Sequence, residues 1–539
     1  MDNSNDLESL LAHLGDFGKY QFIQFLLHLA AAVTAGIHML SLTTVGAIPK
    51  HRCLVPALDY SLNVTKFEKL ENFIPKLENG EFDSCHMYNL NDSSIVQCNS
   101  WIYNTTYYKS SRGMEWNTVC DRRWMGAVAQ SAFMFGVFIG AITLGSTADK
   151  YGRKIVFCVS ALLQLVFGIA AAFVTSFYSF LIIQIFYGTF GSAGSYMAGF
   201  VMSMELVGAS KRTICGVSFQ ASFAVGVIIV AAWAWLIPDR QILQLLYGLH
   251  GLLLIGHWWF LDESPRWLYA NGKIIEAVKI VQKGLKINGS SVVLNSSDYV
   301  LIKANNNTPK VSISDLFKTP VLRKRTLNIC LAWFANSIVY YGLSLGTDNL
   351  NGNPFLLLCL VSVVELPGYM LIMLLMDRMG RRSLTSLFMV LGGICCIIAA
   401  YLFKANILNT IFIMIGKFSI SSSFAIIYNY SAELFPTVVR NSALGLGAMS
   451  ARLSGTLTPL IFLLDSLNTA LPTTIFAVTS IISGLAILIL PETLGSAMPQ
   501  TLQDGEMFKI DDNCFISWFG KKDNRNVTLN EQMEPLKSV

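Results

Sequence analysis

Long apolar stretches alternate with short polar turns along most of this chain. A run of about 20 apolar residues is long enough to cross a lipid bilayer as a helix. Twelve such runs stand out, at residues 21–47, 124–147, 155–174, 178–203, 213–236, 241–260, 327–346, 354–375, 383–403, 409–432, 441–464 and 472–490. The pattern predicts an all-α membrane protein with twelve transmembrane helices.

The polar stretches divide the chain into five parts. The parts are an N-terminal segment at 1–20, a first six-helix half at 21–260 that includes a loop domain at 49–121, a linker at 261–326, a second six-helix half at 327–490 and a tail at 491–539. Lys and Arg concentrate in short loops on one side of this arrangement, which the positive-inside rule assigns to the cytoplasm. We therefore expect both termini, the linker and the tail in the cytoplasm and the loop domain outside.

Composition agrees with a chain embedded in lipid. Hydrophobic residues make up 53% of the 539 residues and charged residues 14%, whereas soluble domains carry roughly 25% charged residues. The net charge of +5 is modest, and the basic residues form no broad patch. We expect the lipid bilayer as a partner and no nucleic acid. The sequence carries no signal for an oligomeric state.

Charged turns between apolar runs recur at one fixed offset. Four pairs of charged positions are separated by 228 residues (from 149 to 377, for example). The pairs are Asp149 and Asp377, Arg153 and Arg381, Glu205 and Glu433, and Arg212 and Arg440. A repeat of this length predicts two parallel halves with charged turns at matching places.

The loop domain carries cysteines and glycosylation sequons. The cysteines are Cys53, Cys85, Cys98 and Cys120, and the sequons begin at Asn63, Asn91 and Asn104. Four cysteines outside the cell predict two disulfides, with three possible connectivities. An oxidised and glycosylated loop favours the plasma membrane as the location.

Several motifs together resemble a known family. The sequence Gly-x-x-x-Asp-x-x-Gly-Arg-Lys at 145–154 resembles the loop motif of the major facilitator superfamily. More specific motifs are Glu-Ser-Pro-Arg-Trp-Leu at 263–268, Glu-Leu-Phe-Pro-Thr-Val-Val-Arg at 433–440 and Pro-Glu-Thr at 491–493. With the cysteine-bearing loop, they resemble solute carrier family 22, the organic cation, organic anion and carnitine transporters. One departure is Met373, where the second copy of the loop motif would carry its first glycine.

The repeated charged turns favour a gate. Acidic positions recur along with basic ones, and the positive-inside rule does not ask for Asp or Glu. We expect Asp149 to accept hydrogen bonds from amides at a neighbouring helix start, and Arg153 or Lys154 to pair with Glu205 or Glu433. Such pairs can hold one face closed and break when it opens. The alternative is that these charges only set orientation.

Three charges lie inside the spans of the second half. Glu365, Lys417 and Arg452 fall in the eighth, tenth and eleventh runs, and a charge at mid-membrane normally faces a cavity or a partner. The resemblance implies that these spans line a central cavity. We expect Glu365 and Lys417 to pair, because either alone would be uncompensated. Arg452 is then the candidate for contacting substrate charge, with a structural ion pair or snorkelling to the membrane surface as the alternatives.

Aromatic and polar side chains complete the predicted cavity. Trp333 and Tyr340 are seven residues apart and share a helix face, and the resemblance implies that aromatics of the seventh span line the cavity. Phe424 follows Lys417 by seven residues, and Gln220 is a polar candidate from the fifth span. Packing is the alternative role for each aromatic side chain.

The resemblance also bears on the sign of the substrate. Organic cation transporters typically carry Asp at the position of Arg452, whereas anion and carnitine transporters carry Arg. Anion transporters often carry Lys at the position of Tyr369, so this residue resembles the carnitine and cation branches. Both signs of charge beside an aromatic wall, which suits an ammonium group, indicate a zwitterion such as a carnitine-like metabolite. An organic anion ranks second and an organic cation third.

The sequence offers no catalytic constellation. It contains no nucleophile elbow, phosphate-binding loop or zinc-ligand spacing, so we expect no enzyme activity, no cofactor and no metal. The favoured function is a secondary transporter of small organic ions that works by alternating access. A function of a different class is a non-transporting receptor or sensor, which would bind ligand without flux across vesicles.

Overall fold

The computed structural model describes residues 7–55, 59, 70–76, 82–89, 94–296, 299, 313–350, 352–402, 407–496 and 498–509. Its helices are α1 (Leu7–Ala12), α2 (Lys19–Val45), α3 (Arg112–Glu115), α4 (Trp124–Tyr151), α5 (Arg153–Phe173), α6 (Phe177–Gly188), α7 (Met197–Leu206), α8 (Arg212–Leu236), α9 (Arg240–Leu249), α10 (Leu252–Ile255), α11 (His257–Phe260), α12 (Pro265–Ala270), α13 (Ile274–Ile287), α14 (Asp315–Lys318), α15 (Pro320–Leu345), α16 (Pro354–Val363), α17 (Glu365–Met379), α18 (Arg381–Tyr401), α19 (Ile407–Leu434), α20 (Arg440–Ile461), α21 (Leu471–Ile487) and α22 (Leu502–Met507). Its strands are β1 (His51–Cys53), β2 (His86–Tyr88), β3 (Ile95–Gln97) and β4 (Trp101–Tyr103).

All twelve apolar runs are helical, which confirms the predicted fold class. Nine are single helices, namely α2, α4, α5, α8, α15, α18, α19, α20 and α21. The fourth, sixth and eighth runs are interrupted. Within the described residues, eight helical stretches are long and apolar enough to cross a membrane unaided. The seventh span begins at Pro320, seven residues before its predicted start, because a basic first turn precedes its apolar part.

The eighth and fourth spans are interrupted in different ways. In the eighth span, α16 and α17 meet at Val364. Pro367 follows three residues later, and it has no amide hydrogen to donate to the carbonyl of Val363. In the fourth span, a π-helical turn at Thr189–Tyr196 separates α6 from α7. It allows close packing, because a Cβ added at Gly194 would lie 2.2 Å from the Ser160 hydroxyl.

The predicted loop domain, called here the disulfide domain (residues 49–121), contains two small antiparallel sheets of two strands each. Strand β1 pairs with β4, and β2 pairs with β3. Disulfides join Cys53 to Cys98 and Cys85 to Cys120, with Cα atoms 5.7 Å apart in each pair. The prediction of two disulfides is confirmed, and the structure selects one of the three connectivities.

Of the three sequons, Asn104 lies on the exposed surface of the disulfide domain. Asn63 and Asn91 lie outside the described residues. Glycosylation at these positions stays a prediction.

Helices of the first half touch backbone to backbone. A Cβ added at Gly36 of α2 or Gly226 of α8 would lie 2.2 Å from a backbone oxygen of the other helix. Helices α4 and α6 approach each other equally closely. A Cβ added at Gly136 of α4 would lie 2.0 Å from a backbone oxygen of α6, and one added at Gly188, at the end of α6, would lie 2.1 Å from a backbone oxygen of α4. Small residues at these crossings bring the helices together as is usual in membranes.

The helices outside the spans dock onto the two halves. Buried Leu10 of α1, Leu268 of α12 and Val281 of α13 belong to one apolar cluster beneath the first half. In the tail, α22 docks at the start of α15. Its Glu506 accepts hydrogen bonds from the amides of Val321 (2.9 Å) and Leu322 (3.1 Å).

Candidate functional site

The charged turn of the first half forms a cluster between α5 and α7. Arg153 forms a salt bridge with Glu205 and lies 3.5 Å from Asp149. The Ser264 hydroxyl also donates to Glu205, at 2.5 Å. Glu205 therefore ties the turn to the start of α12.

The second half repeats this cluster. Arg381 lies 3.1 Å from both Glu433 and Asp377. The Thr493 hydroxyl donates to Glu433 at 2.6 Å. The structure thus turns the 228-residue repeat of the sequence into two equivalent sets of side-chain contacts.

A glutamate from a later motif caps the helix that follows each turn. Glu263 accepts from the amide of Lys154, at 3.1 and 3.2 Å to its two oxygens. Glu492 accepts from the amides of Arg381 (2.9 Å) and Arg382 (3.1 Å). A carboxylate at a helix N-terminus satisfies free amides and the positive end of the helix dipole.

The two caps require the glycines before the helices. Gly152 has φ +113° and Gly380 has φ +87°, and an added Cβ would lie 2.6 Å from Glu263 and 2.5 Å from Glu492. Such a backbone conformation and such close approach both exclude larger residues.

The sequence assigned the capping role to Asp149, and that prediction is wrong. Its side chain is 74% exposed and contacts Arg153. The observed partner of Arg153 is Glu205, one of the two predicted, and the pair lies within the first half. The pair of Arg381 and Glu433 likewise lies within the second half. A gating role for these residues stays a prediction.

The last pair of the repeat, Arg212 and Arg440, also takes equivalent positions. Each donates its Nε to a carbonyl five residues earlier, at 3.4 Å. These bonds close the loops that lead into α8 and α20.

A cavity lies between the two halves. Six of the eight predicted substrate-binding residues line it, namely Gln220, Trp333, Tyr340, Tyr369, Phe424 and Arg452. The elements that supply them are α8, α15, α17, α19 and α20. The helical spacing of seven correctly placed Trp333 and Tyr340 on one wall.

The other two predicted residues, Glu365 and Lys417, lie behind this wall. They are 2% and 0% exposed, and their charged atoms are 3.0 Å apart, which confirms the predicted pair. Glu365 also accepts from the hydroxyls of Tyr340 (3.2 Å) and Tyr369 (2.8 Å), and Lys417 donates to Ser344 (2.6 Å). The sequence predicted a cavity that shows both signs of charge, whereas the carboxylate of Glu365 is neutralised and covered.

Arg452 is the charged residue that lines the cavity. Its Nη1 donates to the Ala448 carbonyl at 2.7 Å, and its Nη2 lies 2.8 Å from the sulfur of Met197. Its Nε is buried and has no hydrogen-bond partner among the described residues. Among the described residues, no carboxylate oxygen lies within 4.0 Å of the Arg452 guanidinium, the limit for an ion pair.

An aromatic wall, formed by Trp333, Tyr340, Phe424 and Tyr428, faces the cavity. The rings of Trp333 and Tyr428 have centroids 4.4 Å apart, and those of Trp333 and Phe424 are 5.8 Å apart, both nearly edge to face. Such packing holds the rings in fixed orientations. A bound ammonium group could therefore contact ring faces.

Sequence reasoning missed several lining residues. Tyr428 follows Phe424 by four residues, a spacing that could have placed it on the same face. Tyr341 was visible only as the neighbour of Tyr340. Ser192 lies in the π-helical turn, which no sequence signal marked. The Oγ of Ser192 and the Oε1 of Gln220 have no hydrogen-bond partner among the described residues, so both are acceptors at the cavity.

Comparisons with known proteins agree with this geometry. Residues 89–501 match a family described as sugar (and other) transporter. An organic cation transporter protein of Drosophila melanogaster is 36% identical over 526 residues, which cover 93% of this chain and 94% of that protein. Solute carrier family 22 member 16 of Homo sapiens is 32% identical over 537 residues and 93% of each chain. Organic cation/carnitine transporter 2 of Rattus norvegicus is 30% identical over 525 residues, 92% of this chain and 93% of that protein.

Solved structures share the fold. The xylose transporter XylE from E. coli in an inward open conformation superposes with a TM-score of 0.58 at 15% identity, covering 90% of this chain and 99% of that chain. At this identity the likeness concerns the fold alone.

Two six-helix halves around a central cavity and relatives that match nearly the whole chain lead to one assignment. The chain is a multi-pass membrane transporter of solute carrier family 22, within the major facilitator superfamily, and not an enzyme.

Proposed function

We propose that this transporter carries small organic ions that bear a carboxylate, and that a zwitterionic, carnitine-like metabolite is its preferred substrate. One observation carries the proposal. Arg452 lines the cavity, and no carboxylate of the described chain lies within ion-pair distance of it. An uncompensated charge at this depth is costly, and a substrate carboxylate would offset it through charge-assisted hydrogen bonds.

The aromatic wall supports the second half of the proposal. A quaternary ammonium group is attracted to the faces of aromatic rings, and the four rings of the aromatic wall line the cavity. The Ser192 and Gln220 oxygens can accept hydrogen bonds from an ammonium or hydroxyl group. A zwitterion therefore has a complement for each end. One of the relatives is named as an organic cation/carnitine transporter.

Two other substrate classes compete. A simple organic anion needs Arg452 and makes no use of the ring faces. A simple organic cation suits the aromatic wall, and a relative is named an organic cation transporter protein. It would meet repulsion from Arg452, however, and would find the carboxylate of Glu365 already paired with Lys417.

The mechanism we propose is alternating access in the plasma membrane, with the disulfide domain outside and both termini in the cytoplasm. The two halves would rock around the central cavity. The clusters around Arg153 and Arg381 would hold the cytoplasmic ends of each half together while the halves separate. Disulfides form in oxidising compartments, which supports the outside location of their domain.

The test is uptake by transfected cells of three labelled compounds of similar size. They are a trimethylammonium carboxylate, the matching trimethylammonium alcohol and the matching carboxylate without the ammonium group. We expect uptake, normalised to surface protein and corrected with untransfected cells, to fall in the order zwitterion, anion, cation. Preference for the alcohol would contradict the proposal. Binding without flux into reconstituted vesicles would indicate a receptor.

A further inference from the structure

A salt bridge joins the two halves beside the disulfide domain. Arg123 precedes α4, and its Nη2 lies 2.7 and 2.5 Å from the two carboxylate oxygens of Asp465. Asp465 belongs to the 3-10 turn at Phe462–Ser466, between α20 and α21. The two side chains are 43% and 22% exposed, so solvent reaches the pair.

The contact between α4 and α20 continues inward from this pair. The Ser131 hydroxyl donates to the backbone carbonyl of Thr456 at 2.8 Å. Slightly deeper, a Cβ added at Gly455 would lie 3.6 Å from the sulfur of Met134, which is van der Waals contact. The two halves are therefore in contact through α4 and α20 at this end.

Toward the charged turns, the glycines of the same two helices face open space. A Cβ added at Gly145 of α4 or at Gly445 of α20 would meet no atom within 4 Å. The ion pairs of the charged turns there lie within single halves. The contacts between α4 and α20 described here thus lie on the side of the disulfide domain.

The disulfide domain fixes the position of Arg123. Cys120, bonded to Cys85, accepts a hydrogen bond from the Arg123 amide at 3.2 Å. Next to it, Asp121 accepts from the side chain of Gln97 at 2.7 Å. The guanidinium therefore extends from an anchored turn, whereas Asp465 moves with the second half.

We propose that Arg123 and Asp465 form an outer latch, an ion pair that stabilises the state closed to the outside and breaks each time the transporter opens outward. The inference rests on the alternating-access mechanism proposed above. It does not depend on which substrate is carried. Removing either charge shifts the resting population toward the outward-open state, by about two- to five-fold for a partly exposed pair.

The test measures outward opening directly, in the full-length protein on intact cells. Val137 lines the central cavity, so Val137→Cys reports access to it. A membrane-impermeant, charged thiol reagent is added outside, and the labelling rate is corrected with the protein that lacks Val137→Cys and retains its own free cysteines. The protein that carries Val137→Cys alone is the parent of the other variants. We expect Arg123→Gln and Asp465→Asn each to raise the rate about two- to five-fold. The exchanged pair Arg123→Asp with Asp465→Arg restores the original rate.

Arg122→Gln is the matched control, because it removes the same charge from the same exposed turn, one residue from the pair. Its labelling rate stays at that of the parent. Equal rates in the parent, Arg123→Gln and Asp465→Asn would overturn the latch, and so would an equal rise in Arg122→Gln. An absence of outside labelling in every variant would overturn both the latch and the alternating-access mechanism, which separates the two failures.

Discussion

The ammonium of Lys417 and the carboxylate of Glu365 lie 3.0 Å apart in a place that solvent does not reach. Lys417 also contacts the face of the Tyr340 ring, with its Nζ 3.1 Å from the ring centroid. The pair consequently supports the aromatic wall from behind. The fixed charge that a substrate meets at the cavity surface is that of Arg452.

Breaking this pair from one side should destabilise the protein strongly. Lys417→Met leaves the Glu365 carboxylate buried without its counter-ion, and we expect a loss of about 3–5 kcal/mol. Surface abundance and the unfolding temperature in detergent should both fall. The double variant Lys417→Met with Glu365→Gln removes both charges and should recover most of the loss. A double variant as unstable as the single one would show that the ion pair is not the cause.

Arg452 should determine substrate charge. Arg452→Lys keeps the charge but loses the planar fork that fits a carboxylate, so affinity should fall by about 1–3 kcal/mol. Arg452→Asp should shift preference toward organic cations. The measurement is the three-compound uptake panel, normalised to surface protein. Arg323→Lys, an exposed position at the start of α15, is the control. The same substrate ranking in all variants would refute this role.

Gly380 should not tolerate a side chain. Its φ is +87°, and the methyl group of Gly380→Ala would lie 2.5 Å from Glu492. We expect a loss of about 1–3 kcal/mol, seen as a lower unfolding temperature. Gly445→Ala is the matched control, because its methyl group meets no atom within 4 Å and alanine favours a helix. A similar loss in both variants would contradict the conformational explanation.

Docking of the tail helix should depend on the charge of Glu506. Burial raises the pKa of this carboxyl, but the neighbouring Thr319 side chain, the hydrogen bonds from two amides and the charge of Arg325 together lower it more, and the pKa lies below its usual value. The charge of Glu506 therefore contributes fully to the stability of the docked tail helix above about pH 4.3, the unperturbed pKa. This contribution is lost as the pH falls through the lower pKa of the folded state.

Glu506→Gln mimics that loss at neutral pH. We expect faster tryptic cleavage after Lys509, which lies two residues beyond α22, because the helix spends more time undocked. Gln503→Ala, an exposed position of the same helix, should cleave at the parent rate. Identical cleavage of Glu506→Gln and the parent would show that this carboxylate does not hold the tail.

The disulfide connectivity predicts which thiol a single substitution releases. Cys85→Ser should free Cys120, and Cys53→Ser should free Cys98. Mass spectrometry after thiol labelling of intact cells identifies the released cysteine. Release of Cys98 by Cys85→Ser would contradict the observed pairing.

Sequence patterns predicted those parts of the site that depend on one helix or on the cost of burying charge. The seven-residue spacing of Trp333 and Tyr340 placed both on one wall of the cavity. The energetic cost of an unpaired charge inside the membrane predicted the pair of Glu365 and Lys417. The sequence did not predict that this pair lies behind the wall, because depth depends on how the helices rotate when they pack.

Contacts between distant segments were the other gap. The caps supplied by Glu263 and Glu492 come from motifs more than a hundred residues after the turns that they cap, so spacing alone favoured the nearer Asp149. The repeat offset for these two glutamates is 229 residues, from 263 to 492, one more than for the charged turns. A search for charged pairs that are 228 residues apart therefore misses Glu263 and Glu492. The π-helical turn around Ser192 depends on packing against α5 and has no pattern of its own.

The glycine crossings of the first half also set its mechanical behaviour. Where Gly36 meets α8 and Gly136 meets α6, main chain rests on main chain, and no layer of side chains lies between to yield under load. We expect helix pairs packed in this way to move as one rigid unit. We expect movement in the transport cycle to occur instead at contacts where side chains lie between the helices. Any residue larger than glycine at these crossings would push the two helices apart and weaken this rigid coupling.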